Sequence, residues 1–153
     1  MMPGAPRIAG VIGSPVAHSL SPAIHQAAFD AAGVGWVYTA FDVAGGRAAE
    51  AIAAMRVLGL AGLSVTMPHK SDVARLVDRL EPAAQALDSV NTVSWDGDQL
   101  VGSSTDGAGF VASLAADGVS VEGARIAVIG GGVNGCGIAR DAAVKPHRQS
   151  ETL

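Results

Sequence analysis

At 153 residues, 49% hydrophobic and 16% charged, the chain is long enough for one domain with a substantial core, too short for two ordinary ones, and too apolar to be disordered. A net charge of −4 gives no pull toward nucleic acid or an anionic membrane, and no apolar run approaches the ~18 residues of a membrane span. The single cysteine, Cys136, excludes an internal disulfide framework and fits a reducing cytoplasm, so a small-molecule partner is the default expectation.

Taken in chain order, Arg7 to Gly13 reads as a short buried strand. The loop Ser14 to Ser21 leads into a helix with Ser21 as its N-cap, Pro22 at its first position and Gly33 as its stop. Trp36 to Val43 alternates and is rich in strand formers, whereas Arg47 to Leu58 has helical spacing through Ala51, Met55 and Leu58. Leu60 to Met67 is a third, continuous apolar strand ending at Pro68. Ser71 to Leu80 predicts an amphipathic helix with Val73, Leu76, Val77 and Leu80 on one face, and Pro82 opens another short helix to about Asp88. Val90 to Trp95 and Gln99 to Gly102 flank the turn signal Asp96-Gly97-Asp98, which predicts a hairpin. Asp106 to Ala116 is helical, and Gly118 to Gly123 is a loop.

Arg125 to Ile129 then predicts a strand that enters Gly130, Gly132 and Gly135, which spell G-x-G-x-x-G. That is how a dinucleotide-binding βαβ unit opens, with the pyrophosphate on the helix N-terminus. Strand-helix alternation therefore predicts an α/β fold: a mostly parallel sheet with helices on both faces and one antiparallel hairpin strand, followed by the first β-α of an incomplete Rossmann domain. In such sheets ligands bind beyond the carboxyl ends of the strands. Attention falls on Ser14–Ser21, Thr66–Lys70, Asn91-Thr92 and Ser103–Asp106.

These loops place hydroxyl, amide, ammonium and carboxylate groups directly after apolar strands or at helix starts. Hydroxyls and an amide grip a polyhydroxylated ligand by pairing with groups that would otherwise be desolvated unpaired. Lys70 and Asp106 add one cation and one anion suited to proton transfer at an alcohol oxygen. The chain uses Arg eight times and Lys twice, and a lysine can exchange a proton where an arginine cannot. Each residue also has a plainer reading: Ser21 and Asp106 as helix caps, Asn91-Thr92 as turn chemistry, Lys70 as a solvated first-turn residue. His18, His25 and His69 lack metal-ligand spacing and read as structural, so no metal is expected.

Together the four stretches resemble the shikimate dehydrogenase family. Its H-S-x-S-P-x-x-H loop is matched by His18-Ser19-Leu20-Ser21-Pro22-Ala23-Ile24-His25. Its N-V-T-x-P-x-K is matched from Ser64 to Lys70 and its N-T-D-G-x-G from Ser104 to Gly109, with Ser replacing Asn in both, and its A-V-N-T by Ser89-Val90-Asn91-Thr92. The resemblance implies that Ser19 and Ser21 bind the shikimate carboxylate and that Thr66 lines the substrate pocket. Lys70, Asn91 and Asp106 would contact the ring hydroxyls, with Lys70 and Asp106 the catalytic pair. It implies NADP as cofactor, on Gly130, Gly132 and Gly135, and interconversion of 3-dehydroshikimate and shikimate in the cytoplasmic synthesis of chorismate and aromatic amino acids. Ser64 and Ser104 reach less far than Asn, so cross-loop hydrogen bonds made by those amides are expected to be lost or bridged by water.

The resemblance divides the chain into a shikimate-binding catalytic portion (1–105), a connecting helix and loop (106–123) and the start of an incomplete NADP-binding Rossmann domain with an off-pattern tail (124–153). The family's glycine pattern is altered at Val133. Arg148 and Glu151 fall near the distance of a ribose-binding residue, but no apolar strand presents them and Pro146 ends the helix. The tail therefore reads as a truncation or frameshift. A lone first strand and helix would leave Ile126, Val128, Ile129 and Ile138 poorly covered and favour self-association. Two functions remain open: a shikimate dehydrogenase of which this is mainly the substrate-binding portion, or a non-catalytic shikimate- or quinate-binding fragment, with quinate and aminoshikimate dehydrogenases sharing the scaffold.

Overall fold

The computed structural model describes residues 7–143. The tail readings at Arg148 and Glu151 lie outside the described residues. The chain divides into two compact units, one running through Ser104 and the other beginning at Thr105.

The first unit is built on a six-stranded sheet. In chain order it contains β1 (Ile8–Gly13), α1 (Ser21–Ala32), β2 (Val37–Asp42), α2 (Ala48–Leu58), β3 (Gly62–Val65), α3 (Lys70–Ala74), β4 (Arg79–Leu80), α4 (Pro82–Leu87), β5 (Thr92–Asp96) and β6 (Gln99–Ser103). The strand order is β2-β1-β3-β5-β6-β4. β1 pairs in parallel with β2 and β3, β4 pairs in parallel with β6, and β5 is antiparallel to both neighbours. The predicted hairpin, β5–β6, supplies that one reversed strand.

Side-chain alternation gives the sheet two covered faces. On one, Ile12, Leu63, Val65, Val93 and Leu100 pack with Ile52 and Met55 of α2, Val73 of α3 and Ala84 of α4. On the other, Ala9, Val11, Val16 and Tyr38 pack with Phe29 of α1. Gln26 fastens α1 to the edge strand: its Oε1 accepts the Tyr38 N–H at 3.0 Å, and its Nε2 donates to the Trp36 carbonyl at 3.1 Å. An edge strand presents unpaired backbone groups, and this side chain supplies part of the missing neighbour.

Two local readings are corrected. Ser21 is the first helical residue rather than the cap; Leu20 holds the cap position, and the Ser21 N–H donates to Ser19 Oγ at 3.2 Å. The predicted helix over Ser71 to Leu80 stops at Ala74. Past that point the backbone bonds to the sheet instead. Asp78 N–H donates to the Leu100 carbonyl at 2.9 Å, and Glu81 N–H donates to the Gly102 carbonyl at 2.9 Å. The apolar positions that suggested a helix, Leu76, Val77 and Leu80, serve the same core from a turn and a short strand.

The second unit contains α5 (Asp106–Ala116) and α6 (Val133–Ala143). The predicted strand Arg125 to Ile129 pairs with nothing among the described residues. A strand is stabilised by its neighbours, and a lone one has no ladder to join. Ile126, Val128 and Ile129 are correspondingly exposed.

Asp78 fastens the β4 side of the sheet. Its Oδ2 accepts the Leu100 N–H at 2.6 Å, and both carboxylate oxygens accept from Arg56 Nη2 of α2, at 2.9 and 2.8 Å. The Leu100 amide first, and then the Arg56 guanidinium, hold its carboxyl below the ordinary carboxylate value. A carboxylate whose value is lowered on folding stabilises the fold above its unfolded value of about 3.9, and the benefit disappears as pH falls through the lower folded value. Asp78→Asn should therefore lower the urea midpoint at pH 7 and flatten its fall below about pH 4 relative to wild type. Parallel pH curves for the two proteins would contradict this role.

Candidate active site

The carboxyl edge of the sheet gathers the loops that follow β1 and β3. Because β5 runs backward, its beginning lies at the same edge. The ladder continues past the strands: Thr66 N–H donates to the Ile12 carbonyl at 2.9 Å and Ser14 N–H to the Met67 carbonyl at 3.0 Å. Asn91 bridges the next gap, its carbonyl accepting the Val65 N–H at 2.7 Å while its N–H donates to the Ser103 carbonyl at 2.9 Å. The Lys70 carbonyl accepts the Val90 N–H at 3.0 Å, which ties the start of α3 to the entry of β5.

Of the residues expected from sequence, Ser19, Ser21, Thr66, Lys70 and Asn91 all belong to this unit, and all five are half-buried. Ser19 ends the loop after β1 and caps toward Ser21 at the first turn of α1. Thr66 opens the turn after β3, and its carbonyl accepts the His69 N–H at 3.0 Å. Lys70 is the first residue of α3. The Asn91 side chain is oriented through Oδ1, which accepts the Thr92 hydroxyl at 2.9 Å. Asp106, the remaining expected residue, opens α5 in the second unit and is half-buried there.

His69 is fully buried, and its Nε2 lies 2.7 Å from the Val43 carbonyl. A carbonyl only accepts, so Nε2 carries the proton. His69 thus anchors the loop after β2 beneath Lys70, and its structural reading stands. Gly13 was not singled out from sequence, although its place between a buried strand and the serine loop was the available signal. A Cβ there would run into Thr66 Cγ2 and lie 3.1 Å from the Met67 carbonyl, so only glycine lets the two turns approach.

In the second unit, Gly130, Gly131 and Gly132 lead into the first turn of α6. Gly130 has φ +114°, a conformation that excludes a side chain, and a Cβ on Gly135 would lie 2.5 Å from the Gly130 carbonyl. A tight glycine turn at a helix N-terminus fits a pyrophosphate. Among the described residues no cluster of three or more His, Cys, Asp or Glu is arranged to hold a metal, and no helix is long and apolar enough to cross a membrane.

A mostly parallel α/β sheet with hydroxyl, amide and ammonium groups at its carboxyl edge defines a small-ligand-binding domain of the doubly covered type. Residues 11–93 match the model of the shikimate dehydrogenase substrate binding domain. The chain belongs to the shikimate dehydrogenase family. A relative from Geobacter metallireducens, a shikimate dehydrogenase (NADP(+)), is 48% identical over 130 residues, which are 84% of this chain and 46% of that protein. The solved shikimate 5-dehydrogenase of Listeria monocytogenes, in complex with shikimate and NAD, superposes with a TM-score of 0.79 at 34% identity, over 92% of this chain and 49% of that one. The ligand-free 5-ketofructose reductase of a Gluconobacter species gives 0.84 at 29% identity, over 92% and 50%. The chain thus spans about half the length of the proteins it matches.

Gly13→Ala tests whether the two turns must touch. Overpacking at such a point costs about 1–3 kcal/mol, so the variant should unfold at lower urea with an unchanged slope. Wild-type stability would mean that the turns separate at no cost.

Proposed function

We propose that this chain is the substrate-binding portion of an NADP-dependent shikimate dehydrogenase, acting on shikimate and 3-dehydroshikimate in the cytoplasmic route to chorismate and aromatic amino acids. The observation that carries this reading is the gathering of Ser19, Ser21, Thr66, Lys70 and Asn91, all half-buried, at one carboxyl edge in a chain of this family. Residues 1–105 are assigned to the substrate, 106–123 to the connection and 124–153 to the cofactor.

The family resemblance assigns each residue a task. Ser19 and Ser21 donate to the carboxylate of the ligand, and Thr66 lines its pocket. Lys70, Asn91 and Asp106 take the ring hydroxyls. Oxidation of a secondary alcohol removes a hydride from carbon and a proton from oxygen, and the family resemblance assigns the handling of that proton to Lys70 and Asp106. When bound, NADP supplies the hydride acceptor, with its pyrophosphate held by the Gly130, Gly132 and Gly135 turn. The likeness to 5-ketofructose reductase favours a second reading in which the same edge serves a different substrate; quinate and an amino analogue enter it from the family resemblance alone. The segment 125–129, which pairs with nothing among the described residues, supports a third, a non-catalytic binding module, and its exposed isoleucines and Val128 favour self-association.

The test uses the purified chain with shikimate and NADP, following nicotinamide reduction by absorbance. Turnover abolished by Lys70→Ala supports the enzyme. Melting raised by shikimate without turnover supports the binding module, the expected gain being about 2.7 kcal/mol at a hundred times Kd. A larger effect from quinate than from shikimate reassigns the substrate. If neither ligand turns over or raises the melting temperature, the reading fails for this chain.

A further inference from the structure

Ser64 stands where the family motif carries Asn, and its shorter side chain was expected to lose its cross-loop partner. Instead it has a different one. Tyr38 Oη donates to Ser64 Oγ at 2.6 Å, from the edge strand β2 across the whole width of β1. The register explains how. Tyr38, Ala9 and Gly62 lie in one row across β2, β1 and β3, so the two positions beside Tyr38 carry a methyl group and nothing. The phenol reaches past the small Ala9 side chain, diagonally to the next row. There Ala40, Val11, Ser64, Thr92 and Ser103 are in register across five strands, which sets three hydroxyls side by side on the face covered by α1.

The ring is held from above by the serine loop's own helix. His25, the last residue of the H-S-x-S-P-x-x-H stretch, stacks on Tyr38 with centroids 4.3 Å apart and planes 9° apart. Tyr38 is buried, whereas Ser64, Thr92 and Ser103 are half-buried. Burial lifts the phenol above its ordinary value, with the Ser64 hydroxyl acting in the opposite direction, so Tyr38 keeps its proton at neutral pH. A hydroxyl has one proton and two lone pairs. With one lone pair taken by Tyr38, the Ser64 hydroxyl is oriented to give its own proton elsewhere.

We propose that Tyr38 is a positioning residue of the polyhydroxy-acid site, fixing Ser64 as a hydrogen-bond donor to an oxygen of the bound ligand and linking the helix after the serine loop to the strand that leads into the turn bearing Thr66 and Lys70. This rests on the proposed shikimate-binding reading. Ser64 is the contact, and Tyr38 acts through it. The pair replaces the reach of an asparagine by two hydroxyls in series.

The experiment measures shikimate affinity of the full-length chain by calorimetry, with ligand-free melting recorded for every variant. Tyr38→Phe keeps the ring and its stack but removes the donor. It should weaken binding about 3- to 10-fold, the range of one neutral hydrogen bond, while melting within a few degrees of wild type. Ser64→Ala should lose as much, the double variant no more than Ser64→Ala alone, and Ser64→Thr, which retains the hydroxyl, should bind within about twofold of wild type. Tyr38 is the one tyrosine in the sequence, so fluorotyrosine gives a single ¹⁹F resonance. Saturating shikimate should move it in wild type and Ser64→Thr, and far less in Ser64→Ala. Wild-type affinity in Tyr38→Phe, fully additive losses or an unmoved resonance would overturn the inference while leaving shikimate binding intact. No binding by the wild-type chain would instead refute the reading beneath it, and this inference with it.

Discussion

Two backbone hydrogen bonds beyond the ends of β1 and β3 carry the candidate site: Thr66 N–H to the Ile12 carbonyl and Ser14 N–H to the Met67 carbonyl. They keep two loops in sheet-like register after the regular strands have finished. The turn bearing Thr66 and Lys70 therefore starts from the same place as the loop bearing Ser19 and Ser21. Asn91 extends the arrangement by spanning Val65 and Ser103 with its own backbone. Polar side chains on loops are ordinarily mobile. Here their main chains are held by the sheet, so the ordering cost of the site is met during folding, before any ligand arrives.

The two faces of the sheet divide the work. The face under α2, α3 and α4 carries the larger apolar cluster, with Ile12, Met55 and Leu100 fully buried in it. The face under α1 has a smaller apolar cluster, and beyond it come Ser64, Thr92 and Ser103. Stability is concentrated on the first face, which frees the second to carry hydroxyls that would weaken a core. β5 makes this possible. Reversing one strand brings Asn91 to the carboxyl edge, where a parallel strand would have delivered its final residue instead.

Much of this was legible in sequence because it is local. The stretches Arg7 to Gly13 and Leu60 to Met67 declared buried strands, and Asp96-Gly97-Asp98 declared the hairpin and with it the reversed strand. The candidate residues were found because each follows a strand or starts a helix. The helix predicted through Leu80 failed for a definable reason. Val73, Leu76, Val77 and Leu80 satisfy helical spacing, but a turn followed by a short strand buries the same side chains, and Asp78 settles the choice by exchanging hydrogen bonds with Leu100, 22 positions away. The Tyr38–Ser64 contact was illegible for a related reason. It depends on register across a strand that separates the two residues, and on Ala9 being small in that register.

The same distinction between local and relational structure separates the two units. A glycine turn at a helix N-terminus needs only its own backbone: Gly130 takes its left-handed conformation, Gly135 keeps its Cβ out of the way, and α6 forms. The apolar stretch before it, Arg125 to Ile129, needs neighbours on both sides and has none among the described residues. Its β-branched side chains are therefore an incomplete surface rather than a core, with Ile129 fully exposed. In the first unit the order is reversed, since even the irregular loops are paired to the sheet. Chemistry that depends on sub-ångström placement belongs on such a scaffold. Ser19, Thr66, Lys70 and Asn91 stand on a framework complete in itself, whereas the glycine motif stands on one helix.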